Sequence, residues 1–136
     1  MAQDYQISNI SLTQLQGDAV TYFAMKAPSA ANGGGFTVLA ATAVEDTATG
    51  SGTSWSIALH KYSGAGTPAL QGTIAAAIGG TASPWVQGVP KNFTISSTYA
   101  FIDAGEWIAI EKTESNSSDP MSGQVVIHWV PGREAS

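Results

Sequence analysis

The feature that most limits the fold of this chain is a series of short β-forming runs, separated by Gly, Pro, Asn and Asp, with no long amphipathic helix between them. In the run SWSIALHKY, Trp55, Ile57 and Leu59 alternate with small or polar residues. A period of two is that of a β-strand, whereas a helix repeats its apolar residues every three or four positions. Parallel strands need long crossovers, which are usually helical. The pattern therefore predicts an antiparallel all-β fold.

Seven to nine strands are expected along the chain. The predicted runs are residues 5–12, 20–26, 36–47, 54–62, 69–80, 93–95, 99–102, 106–114 and 124–130. The segment 81–92 carries two prolines and is expected to be a long connection in which the chain changes sheets. The arrangement predicts an antiparallel β-sandwich of the jelly-roll type. An immunoglobulin-like sandwich is the alternative, although the chain has no cysteine for the Cys…Trp…Cys frame of that fold.

The length of 136 residues predicts one domain. Residues 1–17 are expected to form an N-terminal arm or the first strand, 18–131 a single sandwich domain, and 132–136 a polar tail. The N-terminus has neither the basic nor the apolar region of a signal peptide. We therefore expect a soluble protein that is made in a cytoplasm.

Charge limits the possible partners. Only 11% of the residues are charged, the net charge is −5, and the five basic residues are isolated from one another. Nucleic-acid binding needs a basic stripe that neutralises phosphates, and an anionic membrane attracts clusters of Lys and Arg. The sequence therefore predicts no nucleic-acid and no membrane partner. A low-charge chain rich in Ala, Gly, Ser and Thr is typical of a protein whose surface is largely covered by neighbours.

No pattern in the sequence predicts catalysis. The two histidines, His60 and His128, lie far apart, and neither belongs to a metal-binding motif. No GxSxG nucleophile motif is present. Asp103 and Glu106 are best explained by a tight turn in which Gly105 takes a positive φ. We therefore expect no catalytic residue, no metal ligand, no cofactor and no enzymatic activity.

Several strands are apolar or small on both faces, which predicts that a sheet face or edge is buried by another chain. The alternative is that Ala and Thr tolerate water on an exposed sheet. Trp107 lies opposite Ile108 in its strand, and Trp85 lies in the proline-rich connection, so both are candidate surface residues for a partner subunit or a sugar.

The N-terminal segment is the other candidate contact. It is rich in hydrogen-bonding side chains, and it could add as a strand to the sheet edge of a partner, with Ile7, Ile10 and Leu12 as apolar anchors. The alternative is that this segment is the first strand of the sandwich.

The stretch from Ser54 to Pro120 has a Trp-led strand, a middle rich in Gly, Thr and Pro, and the run FIDAGEWIAIEK. In these features it resembles small virion structural proteins of tailed bacteriophages, and it is similar to their capsid decoration (cement) proteins. The resemblance implies a small β-sandwich, a homotrimer, and a major capsid protein as the partner. It also implies a location on the capsid surface after synthesis in the host cytoplasm.

Two other functions stay open. A jelly roll with exposed tryptophans is also expected of a carbohydrate-binding module, since sugars stack on flat aromatic rings. Tail, neck and fibre proteins of phages use small β-sandwiches as well.

Overall fold

The computed structural model describes residues 6–15, 19–32, 34–45, 55–64, 66–80, 83–114 and 121–132. Most of these residues lie in nine β-strands, and the predicted all-β fold is therefore confirmed. The strands are β1 (Gln6–Leu15), β2 (Ala19–Lys26), β3 (Phe36–Glu45), β4 (Trp55–Tyr62), β5 (Leu70–Gly79), β6 (Lys91–Asn92), β7 (Phe101–Ile102), β8 (Trp107–Glu114) and β9 (Met121–Pro131). In the described part of the chain, the one helical element is a 3-10 turn, Ala30–Asn32.

The strands form two antiparallel sheets. The first sheet has the order β1-β9-β3-β6, and the second has the order β2-β8-β4-β5. The short strand β7 also pairs with β3, at the opposite end from β6, so the two together occupy one strand position. The pairing is nested, because the first strand lies beside the last and the second beside the last but one. This is the jelly-roll arrangement of eight strand positions in two sheets, and the immunoglobulin-like alternative is not adopted.

The core lies between the two sheets, as the alternation of apolar residues predicted. The second sheet contributes Trp55, Ile57, Leu59, Ile108 and Ile110, and the first sheet contributes Val125 and Ile127. Each of these side chains is almost completely buried. The apolar faces of β4 and β8 therefore pack against the last strand, β9.

The connection from β5 to β6 carries the chain from the second sheet to the first, as the two prolines predicted. A strand over 93–95 was expected there, and the structure shows a different arrangement. The Phe93 amide donates to Ala41 O in the first sheet, and the Ser96 amide donates to Ile74 O in the second sheet. Because this segment bridges two sheets, it cannot form a continuous ladder with either one.

Two irregularities change which face a residue occupies. The register of β2 against β8 shifts between Phe23 and Met25, so these two residues lie on opposite faces of the sheet. Their spacing of two residues would have placed them on one face of an uninterrupted strand. The register of β3 against β9 shifts between Val38 and Ala40. A β-bulge reverses the alternation of a strand, which explains why β3 looked apolar on both faces.

Candidate partner-binding surfaces

The outer face of the second sheet, which points away from the core, carries three aromatic rings. The Phe23 ring centroid lies 5.1 Å from that of Tyr62 and 5.5 Å from that of Trp107, both in edge-to-face geometry. The sheet register brings them together, because Trp107 is paired with Tyr62 on one side and with Lys26 on the other. Lys26 Nζ lies 5.4 Å from the Trp107 ring centroid. We call Phe23, Tyr62 and Trp107 the outer aromatic cluster.

The outer aromatic cluster is an apolar layer on the solvent side of the sheet. Ala109 and Ala58 are buried on this side, because the larger neighbouring side chains surround them. Phe23 is nevertheless 38% exposed, and Leu70, which is paired with Tyr62, is 55% exposed. Trp107, which the sequence placed on a strand face opposite Ile108, is part of this surface. The face therefore offers apolar area that a partner molecule can remove from water.

An acid–imidazole pair borders this cluster. His60 Nδ1 lies 3.8 Å from Glu111 Oε2, which is too long for a hydrogen bond. His60 Nδ1 is buried and has no hydrogen-bond partner among the described residues. The described residues include no group of three His, Asp or Glu side chains that could hold a metal ion. The pair therefore adds polar groups to the outer face of this sheet, without the geometry of a metal centre.

Trp85 is not a surface residue, which corrects the position expected from the sequence. Its side chain is 4% exposed, and its ring stacks on Trp55 with centroids 4.5 Å apart. Trp85 Nε1 donates to Trp55 O at 3.1 Å, and Lys91 Nζ lies 5.7 Å from its ring centroid. A Cβ at Gly79 would collide with the Trp85 indole, so the glycine makes room for it. The Gly79–Gly80 pair is the sequence feature that could have indicated this packing.

The buried Trp85 anchors a turn that points its apolar residues outward. Val86 is 58% exposed and Val89 is 51% exposed. The Val89 amide donates to Val86 O at 2.9 Å, and Gly88 has the positive φ of 77° that the third residue of a type II turn requires. The Gly88 amide donates to Glu45 O, which ties the turn to the end of β3. We call this segment the Val86–Val89 turn.

The three N-terminal candidates do not form one contact surface. Residues Gln6–Leu15 form β1, which pairs with β9 at the edge of the first sheet. Ile10 and Leu12 point into the core and are buried, whereas Ile7 is 61% exposed on the other face. Of the anchors named from the sequence, Ile7 and Trp107 therefore offer side-chain surface to a partner. Contact with a partner stays a prediction for all five residues.

An apolar recess of about 200 Å³ lies at the end of the sandwich where β3 begins. Its walls are Pro28, Phe36, Trp129 and Pro131, and the loop residues Asn32, Gly34 and Gly35 complete it. The Phe36 and Trp129 ring centroids are 5.0 Å apart, and Trp129 Nε1 donates to Ser8 Oγ at 2.9 Å. The recess is therefore held rigidly by aromatic packing and by a bond across the first sheet.

The carboxylates that the sequence raised as candidates have structural positions. Gly105 has φ 82° and the Glu106 amide donates to Asp103 O, so the predicted tight turn is confirmed. Glu106 Oε1 lies 3.2 Å from Lys61 Nζ and also accepts from the Asp103 amide. Lys61 Nζ in turn donates to Phe101 O. These contacts close one end of the sandwich.

Glu45 is a buried carboxylate that belongs to no recognisable sequence motif. Its residue is 2% exposed, and its Oε2 has no hydrogen-bond partner among the described residues. Loss of water around the carboxylate raises the pKa of Glu45 above its ordinary value, because burial penalises the charged form.

None of the described helical residues forms a segment long and apolar enough to cross a membrane.

The sequence matches no protein-family model and no curated protein. Among solved structures, a protein of Bacillus endospore appendages, which are disulfide-linked pili, is 12% identical, with a TM-score of 0.41 over 98% of this chain and 88% of that chain. A protein of the Gx strain of infectious bursal disease virus is 12% identical, with a TM-score of 0.45 over 92% of this chain and 32% of that chain. VP2 of the same virus, in a subviral particle, is 14% identical, with a TM-score of 0.46 over 96% and 34%. The chain thus spans about a third of the viral proteins, and matches at this level do not extend to function.

Proposed function

We propose that this chain is a non-enzymatic virion structural protein, a capsid decoration protein that binds the major capsid protein and stabilises its shell. The observation that carries the proposal is the outer aromatic cluster, an apolar layer on the solvent side of the second sheet. The resemblance of residues 54–120 to small phage virion proteins points to the same role. In this proposal the protein is made in the host cytoplasm and acts on the capsid surface.

The physical basis of the binding is burial of aromatic area together with multivalency. Interfaces are enriched in aromatic residues at their centre and polar groups at their rim. Here Phe23 and Trp107 are the centre, and Lys26, whose Nζ lies 5.4 Å from the Trp107 ring centroid, is a rim group. Burying apolar area contributes roughly 25 cal/mol per Å². A homotrimer holds three such faces together, so that weak single contacts add up to firm attachment on a repetitive shell.

The test is to mix the purified protein with undecorated capsids and to measure co-sedimentation and the temperature at which the capsid opens. The wild-type protein is expected to bind and to raise that temperature. Trp107→Ala is expected to weaken binding at least ten-fold, since it removes the largest ring of the cluster. The matched control is Thr94→Ala, an exposed position outside the cluster. Wild-type protein that does not bind capsids contradicts the proposal.

A carbohydrate-binding module is the second candidate, and the presence of His60 and Glu111 on the same outer face as the aromatic rings favours it. Sugars present C–H faces that pack on aromatic rings, and hydroxyls that bond to carboxylates. A glycan array separates the two functions, because a decoration protein binds capsids and gives no glycan signal that depends on Trp107. Separated phage heads and tails used in the co-sedimentation assay distinguish a head protein from a tail, neck or fibre protein.

A further inference from the structure

We propose that copies of this chain join end to end, with the Val86–Val89 turn of one copy seated in the apolar recess of the next. The proposal concerns contact between copies and does not depend on binding to a capsid. It rests on two features that the chain carries at its two ends, a projecting apolar turn and an apolar recess. Neither feature is used by the outer aromatic cluster.

The Val86–Val89 turn is already ordered before it contacts a second copy. Trp85 is stacked on Trp55 beneath it, and the bonds from the Val89 amide to Val86 O and from the Gly88 amide to Glu45 O fix its backbone. Lys91 Nζ donates to Ser83 Oγ at 2.7 Å, which closes the base of the loop. A segment that is already ordered loses little conformational entropy on binding, which leaves more of the contact energy for affinity.

The recess matches the Val86–Val89 turn in both polarity and size. Its walls are proline and aromatic side chains, and none of the described residues that line it is charged. The segment from Ser83 to Pro90 also carries no charge, so that docking leaves no unpaired ion out of water. An apolar cavity of about 150 Å³ can hold benzene, which has six carbons, and the isopropyl groups of two valines also have six carbons. The recess holds about 200 Å³.

The two features lie at opposite ends of the sandwich. Phe36, at the start of β3, lines the recess, whereas Glu45, at the end of β3, binds the turn. A ten-residue strand is about 30 Å long, at ~3.3 Å per residue. The turn therefore cannot reach the recess of its own chain. A contact between two copies leaves one turn and one recess free, so the contact is heterologous.

A heterologous contact either closes into a ring or continues as an open chain, and the rotation at each contact decides which. Three copies that close through this contact form the homotrimer proposed above. Copies that do not close form a filament that lengthens with concentration.

The test is a mixing experiment with two complementary variants, measured by sedimentation equilibrium. Val86→Asp places a carboxylate on the turn, and Pro28→Asp places one on the wall of the recess. Each variant alone is expected to be a monomer, while wild type is larger. An equimolar mixture is expected to form a two-chain complex and nothing larger, because the intact turn of Pro28→Asp fits the intact recess of Val86→Asp.

Matched variants keep the result interpretable. Thr98→Asp adds the same charge at an exposed position outside both features and is expected to assemble as wild type does. Val89→Asp and Asn32→Trp repeat the test at the turn and the recess if either first variant fails to fold. Trp107→Ala is expected to keep its assembly, so that loss of capsid binding and loss of end-to-end contact are separate results.

Three outcomes overturn the proposal. They are a wild-type protein that stays monomeric at its highest soluble concentration, folded turn or recess variants that assemble as wild type does, and a mixture of monomeric variants that forms no two-chain complex.

Discussion

The two faces of the second sheet are both apolar, but they are built from different residues. The inner face carries aliphatic side chains such as Ile57, Leu59 and Ile110, which are fully buried against the first sheet. The outer face carries the rings of Phe23, Tyr62 and Trp107, and Lys26 lies over the Trp107 ring. Aliphatic residues interdigitate in a closed core, whereas rings bordered by charges are typical of surfaces that meet a partner. Alternation thus reveals two apolar faces, and residue type distinguishes their roles.

The largest expected effect is on the inner face. Leu59→Ala is expected to lower the free energy of unfolding by ~2–5 kcal/mol, because it removes buried carbons and leaves a cavity. Leu70→Ala, on the exposed part of the outer face, is the matched control and is expected to cost less than ~1 kcal/mol. Urea denaturation measures both values. Similar losses for the two leucines would mean that the two faces do not differ in burial.

An intermediate effect is expected within the outer aromatic cluster. Phe23→Ala removes edge-to-face contacts with two rings, and each such contact contributes about 0.5–1.5 kcal/mol beyond buried area. The expected loss of stability is about 1–2 kcal/mol, and a double-mutant cycle with Tyr62→Ala isolates the coupling between these rings. A coupling energy of zero would show that the rings are neighbours without stabilising one another.

The smallest expected effect is on the pH dependence of stability, and it concerns the buried carboxylate of Glu45. Burial raises the pKa of Glu45, so its favourable contribution is present at acidic pH and is lost as the pH rises through that pKa. Glu45→Gln is therefore expected to be more stable than wild type at neutral pH, with the difference shrinking in acid. Melting temperatures across this pH range measure the effect.

Glu111→Gln on the outer face is the control for that measurement. Glu111 lies in the interior strand β8, between Thr21 and Ala58. Its carboxylate is 3.8 Å from His60 Nδ1, which is too long for a hydrogen bond, so the pair is expected to contribute little to stability. Its melting temperature is expected to follow that of wild type at each pH. A Glu45→Gln variant that is less stable than wild type at neutral pH would show that the carboxylate has a stabilising partner.

The alternation of the sequence predicted the sandwich and the core of the second sheet, because period-two patterns are local. Bulges are not local. The register shifts in β2 and β3 depend on the neighbouring strand, so the opposite placement of Phe23 and Met25 did not follow from their spacing. Trp85 was misplaced for a related reason, since its burial depends on contact with Gly79 and Trp55 across the loop.

The candidate surfaces also differ in whether they could be predicted from the sequence. Trp107 was found from the sequence because it alternates with Ile108 in an uninterrupted strand. The recess was not found, because its walls come from Pro28, Phe36 and Trp129, which are distant in sequence and meet only after the sheets have formed. Surfaces within one strand are thus visible in the sequence, and surfaces made by several segments are not.

The nested pairing of the strands has a consequence for how the chain folds. The last two strands, β8 and β9, occupy interior positions in both sheets, where β8 joins β2 to β4 and β9 joins β1 to β3. The bond from Trp129 to Ser8 spans 121 residues. Chains dominated by such distant contacts fold slowly, because each contact must close a long loop first. The neighbouring strands β4 and β5 can pair as soon as both have emerged from the ribosome. Neither sheet can be completed until β8 and β9 have been released, because these two strands join the others together.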